Sequence, residues 1–130
     1  MLLRSVLAVL VGGALGTAAR ALLQEAIPEW WLLFAVNAVG SALLGVSVAA
    51  LADAPAWLRH GIGAGVLGGF TTFSAVALAS VSASASSGGF ATIIPALPGM
   101  ALAAGMLALC MLSAWLGLAL GRMLTKRRAA

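Results

Sequence analysis

The sequence has 130 residues, of which 63% are hydrophobic and only 8% are charged, with seven basic and three acidic side chains. A water-soluble domain carries charge on roughly a quarter of its residues, so this composition excludes one and predicts a surface covered by lipid. The pI near 11.3 comes largely from basic residues at the C-terminal end. Beside an apolar segment, such a cluster is typical of a membrane topology anchor and not of nucleic-acid binding.

The first predicted membrane span covers residues 2–23. Its opening apolar run is also compatible with a cleaved signal peptide. We favour a span, because the run continues beyond Arg20 to Leu23 and further spans follow. A polar turn around Pro28 separates it from a second predicted span at residues 30–51, which opens on two tryptophans of the kind found at the membrane interface.

Most of the third and fourth predicted spans lies in a stretch without Asp, Glu, Lys or Arg, from Gly61 to Gly121. As one helix this stretch would be about 90 Å long, three times the ~30 Å hydrocarbon thickness, so it must cross the membrane twice. We predict spans at residues 57–86 and 95–124, within a single all-α integral membrane domain of four helices.

The third span contains Gly-Gly-Phe-Thr-Thr at residues 68–72, which predicts a helix broken within the membrane. A break frees backbone groups that lipid cannot satisfy, so breaks persist where those groups bind something. The alternative is a glycine kink with threonine hydroxyls bonded to the preceding turn. Glycines also recur at four-residue spacing, which predicts close helix packing and, for the triple set in the third span, a crowded centre at a subunit contact: Gly12, Gly16, Gly61, Gly65, Gly69, Gly117 and Gly121.

Polar side chains inside a membrane are costly and need a partner or a function. The candidates are Arg20, Asn37, Ser41, Thr71, Thr72, Ser74 and Ser113, and no carboxylate lies inside any predicted span. The missing acid disfavours a proton-coupled exporter. Neutral donors suit a small anion, whose water shell N–H and O–H groups must replace, and the positive ring edge of Phe73 would assist unless that ring only packs. With one Cys and one His, the chain offers no metal cluster and no nucleophile–base pair, so we do not expect an enzyme.

Three motifs together resemble the fluoride channel family known as Fluc or CrcB. They are Gly-Gly-Ala-Leu-Gly-Thr-Ala-Ala-Arg at residues 12–20, Asn-Ala-Val-Gly at residues 37–40 and Gly-Gly-Phe-Thr-Thr-Phe-Ser at residues 68–74. The resemblance implies an antiparallel, dual-topology dimer in the plasma (inner) membrane, with two narrow pores for passive fluoride efflux. It also implies a structural sodium ion at the dimer centre, held by the backbone carbonyls of Gly68 and Thr71.

By motif position, the resemblance implies an ion pathway and one further basic residue. Arg20 corresponds to the basic residue that ends the first helix of the family. The implied pathway residues are Asn37 as the amide donor, Phe73 as the first of two pore phenylalanines, and the hydroxyls of Thr72, Ser74 and Ser113.

The chain departs from the family pattern at four positions. Val76 stands where the second pore phenylalanine is expected, and Leu33 replaces the threonine before Asn37. Cys110 and Ala114 stand where the fourth helix usually carries two hydroxyls. At least one pore of a homodimer would therefore be poorly lined.

The charges favour a single orientation. In a four-span topology, six of the seven basic residues share the side of both termini, which places the termini in the cytoplasm. We therefore expect this subunit to pair with an oppositely oriented paralogous four-helix subunit. The alternatives are a homodimeric fluoride channel, a proton-coupled exporter and a non-conducting structural partner.

Overall fold

The computed structural model describes residues 2–86 and 97–129, so residues 95 and 96 of the predicted fourth span lie outside the described residues. Its elements, in chain order, are α1 (Leu2–Ala26), α2 (Leu32–Ala50), α3 (Ala56–His60), a π-helical segment (Gly61–Leu67), α4 (Gly68–Phe70), α5 (Phe73–Ser86) and α6 (Leu97–Ala129).

Four helical stretches within the described ranges are long and apolar enough to cross a membrane. They are Leu2–Ala26, Leu32–Ala50, Ala56–Ala85 and Leu97–Arg127. Large hydrophobic side chains are exposed along them, as expected for helices that face lipid. The prediction of an all-α membrane protein with four spans is confirmed.

Glycines bring α1 against the π-helical segment. A Cβ atom on Gly12 would overlap the carbonyl oxygen of Gly61, and a Cβ on Gly16 would overlap that of Val66. A Cβ on Gly65 would lie 3.1 Å from the Cα of Gly12. The glycines of the third span thus form the crowded contact that their spacing predicts, and the element that crowds them is α1 of the same chain.

The π-helical segment lies where this contact is tightest. Its sequence, Gly-Ile-Gly-Ala-Gly-Val-Leu, has glycine at alternate positions. Wider π turns are rare and occur mostly where a helix is adapted to a function. Here Gly61 and Gly65 have no side chains and place their backbone directly against α1. The two helices can therefore approach closely without a hydrophobic driving force.

The second close pair is α2 with α6. A Cβ on Gly45 would overlap the carbonyl oxygen of Ala114, and a Cβ on Gly117 would overlap that of Ala42. A Cβ on Gly121 would lie 2.9 Å from the carbonyl oxygen of Val46. These contacts set the rotation of α6 about its own axis, and hence which of its side chains face α2 and α5.

Helical structure in the third span stops at two residues, Thr71 and Thr72, between α4 and α5. Thr71 has an extended backbone, with φ −78° and ψ 156°. The predicted break covered residues 68–72, but Gly68–Phe70 are helical. They stay helical because the amide of Thr71 still donates to the carbonyl of Leu67 at 3.0 Å.

Candidate functional site

The interruption between α4 and α5 is held from α2 by Asn37. The amide N–H of Thr72 donates to Asn37 Oδ1 at 2.8 Å, and Asn37 Nδ2 donates to the carbonyl of Thr72 at 3.4 Å. The same Nδ2 also donates to the carbonyl of Leu33, one turn earlier on α2, at 2.9 Å. Asn37 is only 5% exposed, so its amide is committed to protein groups and not to solvent.

From the opposite side, α1 holds the carbonyl of Gly69. Arg20 Nε and Thr17 Oγ1 each donate to this oxygen at 3.4 Å. Arg20 Nη1 also donates to Gln24 Oε1 at 3.3 Å. The carbonyls at the end of a helix have no intrahelical donor, so a guanidinium and a hydroxyl here replace the turn that the break removes.

The threonines of the break satisfy part of its backbone themselves. Thr71 Oγ1 donates back to the carbonyl of Leu67 at 3.0 Å. Thr72 Oγ1 accepts the amide N–H of Ala75 at 3.3 Å and lies 3.2 Å from Ser74 Oγ. Thr72 therefore caps α5, as threonine commonly does just before the first helical residue.

A cavity of about 220 Å³ lies beside the break, between α2, α5 and α6. It is partly open and mostly apolar, and its polar lining consists of an amide, hydroxyls and a thiol. The lining residues are Asn37, Ser41, Thr71, Thr72, Phe73, Val76, Ala103, Met106, Leu107 and Cys110. Such a lining offers hydrogen-bond donors to a small anion and contains no carboxylate or imidazole.

The structure brings together some of the predicted pathway residues and separates others. Asn37, Thr72 and Phe73 line the cavity. The ring of Phe73 is 81% exposed and so projects from the subunit. Of the described residues, Ser74 and Ser113 are not among those that line it; Ser74 touches the site only through the hydroxyl of Thr72.

The carbonyls of Gly68 and Thr71, which are predicted to hold sodium, lose their helical hydrogen bonds for different reasons. The amide of Thr72, which would otherwise bond to the carbonyl of Gly68, donates to Asn37 instead. The carbonyl of Thr71 precedes the capping residue of α5, so helix geometry gives it no donor from that helix. Both carbonyls are therefore free of helical hydrogen bonds, and hard cations prefer such oxygen ligands. The residues fit the ion. The described residues contain no cluster of three or more His, Cys, Asp or Glu that could bind a metal ion through side chains.

Sequence reasoning did not identify Thr17 as part of the site. The signal was present, because Thr17 and Arg20 are three residues apart and therefore share a helix face. The role of the Leu33 carbonyl was also missed. Only the observed side-chain conformation of Asn37 shows that it bonds to this carbonyl, one turn earlier on the same helix.

Comparison with known proteins gives a consistent result. The family described as CrcB-like protein, Camphor Resistance (CrcB), matches residues 7–118. The chain is 44% identical over 110 residues to the fluoride-specific ion channel FluC 1 of Rhodococcus jostii, covering 82% of this chain and 86% of the relative. It is 46% identical over 85 residues to FluC 2 of Leifsonia xyli subsp. xyli, covering 58% of this chain and 59% of that one. It is 49% identical over 76 residues to FluC 2 of Thermobifida fusca, covering 52% and 56%. The match to the family spans all four membrane helices, and the chain belongs to the CrcB family.

Proposed function

We propose that the chain is a subunit of a fluoride-selective channel, through which fluoride leaves the cytoplasm passively across the plasma membrane. One observation carries the proposal: relatives named as fluoride-specific ion channels match a chain whose cavity, beside a helix break, is lined only by neutral polar and apolar groups. A small anion needs donors to replace its water shell. A carboxylate in the cavity would repel it.

The proposed ion pathway runs along the cavity and past the exposed ring of Phe73. Asn37 and Thr72 line it beside the break. Ser74 follows on α5, and Ser113 belongs to the pathway only if a second subunit completes the wall near α6. Bound at the carbonyls of Gly68 and Thr71, sodium would supply positive charge that offsets the partial negative charge of those oxygens.

The proposal includes a second four-helix subunit in the opposite orientation. Phe73 is 81% exposed to the outside of the subunit, where a packed partner would cover it. Val76, by contrast, is 3% exposed and is part of the core between α5 and its neighbours. Six of the seven basic residues belong to the end of the bundle that carries both termini, which supports cytoplasmic termini for this chain.

The test is fluoride efflux from liposomes. Vesicles containing the purified protein are loaded with potassium fluoride, diluted into fluoride-free buffer and followed with a fluoride electrode. A passive channel releases fluoride when a potassium ionophore removes the opposing potential. It does so without an imposed proton gradient and does not release chloride at a comparable rate. Efflux that requires a proton gradient would instead identify an exporter.

Pairing is tested by expressing the chain alone, with a tag on its C-terminus. We expect the tag on one membrane face and little efflux until a second, oppositely oriented subunit is added. Robust efflux from the lone chain, with tags on both faces, would contradict pairing with a paralogue and establish a homodimer.

A non-conducting structural subunit is the second candidate. The observation that favours it is the mostly apolar wall of the cavity, to which Val76, Met106 and Leu107 contribute. Substitution of Phe73 in the assembled protein separates the two functions, since a structural subunit tolerates Phe73→Ala without a change in efflux.

A further inference from the structure

We infer that Asn37 is a positioning residue, whose side-chain amide takes the place of the missing backbone partners of Thr72 and thereby fixes the helix break. A carboxamide carries the same donor and acceptor as a peptide group. Asn37 uses both on one residue, accepting the Thr72 N–H at 2.8 Å and donating to the Thr72 carbonyl at 3.4 Å. This pair of hydrogen bonds resembles the pair that two residues exchange between neighbouring β-strands, except that a side-chain amide replaces one backbone.

Counting hydrogens leaves no spare donor on this amide. Nδ2 has two hydrogens, and one is directed at the carbonyl of Leu33 while the other is directed at that of Thr72. Asn37 is also buried at 5% exposure. An anion that used Asn37 as its ligand would have to displace one of these hydrogen bonds. The amide can therefore bind an ion only after it has released a backbone carbonyl.

The consequence reaches three neighbouring features. By drawing the Thr72 amide toward α2, Asn37 leaves the Gly68 carbonyl without its helical donor. It also holds Thr71 extended and sets Thr72 where its hydroxyl caps α5. The start of α5 carries Phe73, so the same amide determines where that ring projects.

Side-chain chemistry makes this role specific to asparagine. Leucine has the same branched side chain of four heavy atoms and neither bonding group. Aspartate, when ionised, accepts but does not donate, and would face the carbonyls of Leu33 and Thr72 with negative charge. The variant that removes the bonds with the least change of shape is therefore Asn37→Leu.

The test is a double-mutant cycle between Asn37 and the Thr72 amide. Replacing Thr72 by the corresponding α-hydroxy acid converts its amide to an ester and deletes the N–H donor. The protein is titrated with denaturing detergent in fluoride-free buffer, and the unfolding midpoint is measured for the parent chain, Asn37→Leu, the ester, and the two combined. If the amide is the partner of Asn37, the combined change shifts the midpoint by clearly less than the sum of the two single shifts. The weaker carbonyl that an ester gives Thr71 is present with either residue at position 37, so it cancels in the coupling.

The matched control is an ester at Ala108, on the exposed side of α6. Its shift should add to that of Asn37→Leu. Additive shifts for the Thr72 ester would overturn the proposal. If Asn37→Leu does not purify, Asn37→Ala completes the same cycle.

The readout separates this inference from the proposed function. No fluoride is present, so a residue that acts only as an anion ligand predicts additive shifts. A chain that transports no fluoride would still show the coupling if Asn37 holds the break.

Discussion

Gly16 of α1 lies so close to Val66 that a methyl group on Gly16 would overlap the Val66 carbonyl oxygen. The atom in the way is backbone, which cannot rotate aside as a side chain can. In a membrane, helices are held by such close packing and not by a hydrophobic force between them. The contact therefore predicts a large effect from the smallest possible substitution.

We expect Gly16→Ala to destabilise the chain by about 1–3 kcal/mol, the usual cost of forcing extra volume into a packed site. Unfolding by denaturing detergent measures it. Gly13→Ala on the same helix is the control, because a Cβ there meets nothing within 4 Å of the described atoms. Its effect should stay under about 1 kcal/mol, the difference in helix propensity. Equal losses from both variants would mean that α1 does not pack as described.

Arg20 offers a second prediction, since its Nε donates to the Gly69 carbonyl and its Nη1 to Gln24. Arg20→Met keeps much of the stem and removes both donors. We expect a loss of about 1 kcal/mol, below the usual range of about 1.5–3 kcal/mol for a bond from a charged donor, because the 3.4 Å distance is long. The loss of stability is measured by thermal unfolding of the purified protein, with size-exclusion chromatography reporting the fraction that remains folded at each temperature.

The control for Arg20 is Gln24→Ala, which removes only the exposed bond between these two side chains. Its free energy of unfolding should stay within about 0.5 kcal/mol of that of the parent chain, as is usual for exposed substitutions. If Arg20→Met and Gln24→Ala have the same melting temperature, the bond to Gly69 contributes nothing to stability.

Thr72 should tolerate serine and not valine. Its hydroxyl accepts the Ala75 amide and contacts Ser74 Oγ, and the residue is 8% exposed. Valine keeps the shape and loses the cap, at an expected cost of about 1 kcal/mol. Serine keeps the hydroxyl. Thr125→Val is the matched control, because the Thr125 hydroxyl bonds only within the last turns of α6. Detergent unfolding should rank Thr72→Val as the least stable of the three.

The spans and the position of the break could be predicted from the sequence because both depend on local composition. An uncharged stretch of about three membrane thicknesses must cross twice, and Gly-Gly beside Thr-Thr is costly in lipid unless the backbone is satisfied. The break proved narrower than the motif. Whether Gly68–Phe70 remain helical depends on one bond, from the Thr71 amide to Leu67, and sequence does not determine its geometry.

Helix rotation is what the sequence could not provide. The sequence predicts Ser113 beside the pathway and places Cys110 where the family usually carries a hydroxyl. In the structure Cys110 lines the cavity, and Ser113 is not among the described lining residues. The rotation of α6 follows from the contacts of Gly117 with Ala42 and of Gly45 with Ala114. Adjacent positions differ by about 100° around a helix, so Ser113 is turned away from the face that Ala114 presents to α2.

Phe73 provides the last prediction, because its exposure separates its effect on transport from its effect on folding. The side chain is 81% exposed in the subunit and lines the cavity. Truncation to alanine removes few contacts inside the chain, so detergent unfolding of the lone subunit should barely change. Leu78→Ala is the matched control, being on the same helix and 69% exposed.

In the assembled channel the two variants should diverge. An aromatic edge contact contributes about 1 kcal/mol, so its loss from the ion path slows fluoride efflux by roughly five- to tenfold. Leu78→Ala, outside the described cavity lining, should leave the initial efflux rate within about twofold of the parent channel, a difference under about 0.5 kcal/mol. Equal rates for both variants would place the ring of Phe73 outside the conducting path and would favour the non-conducting subunit. The ring then contributes only to the surface that the partner subunit covers.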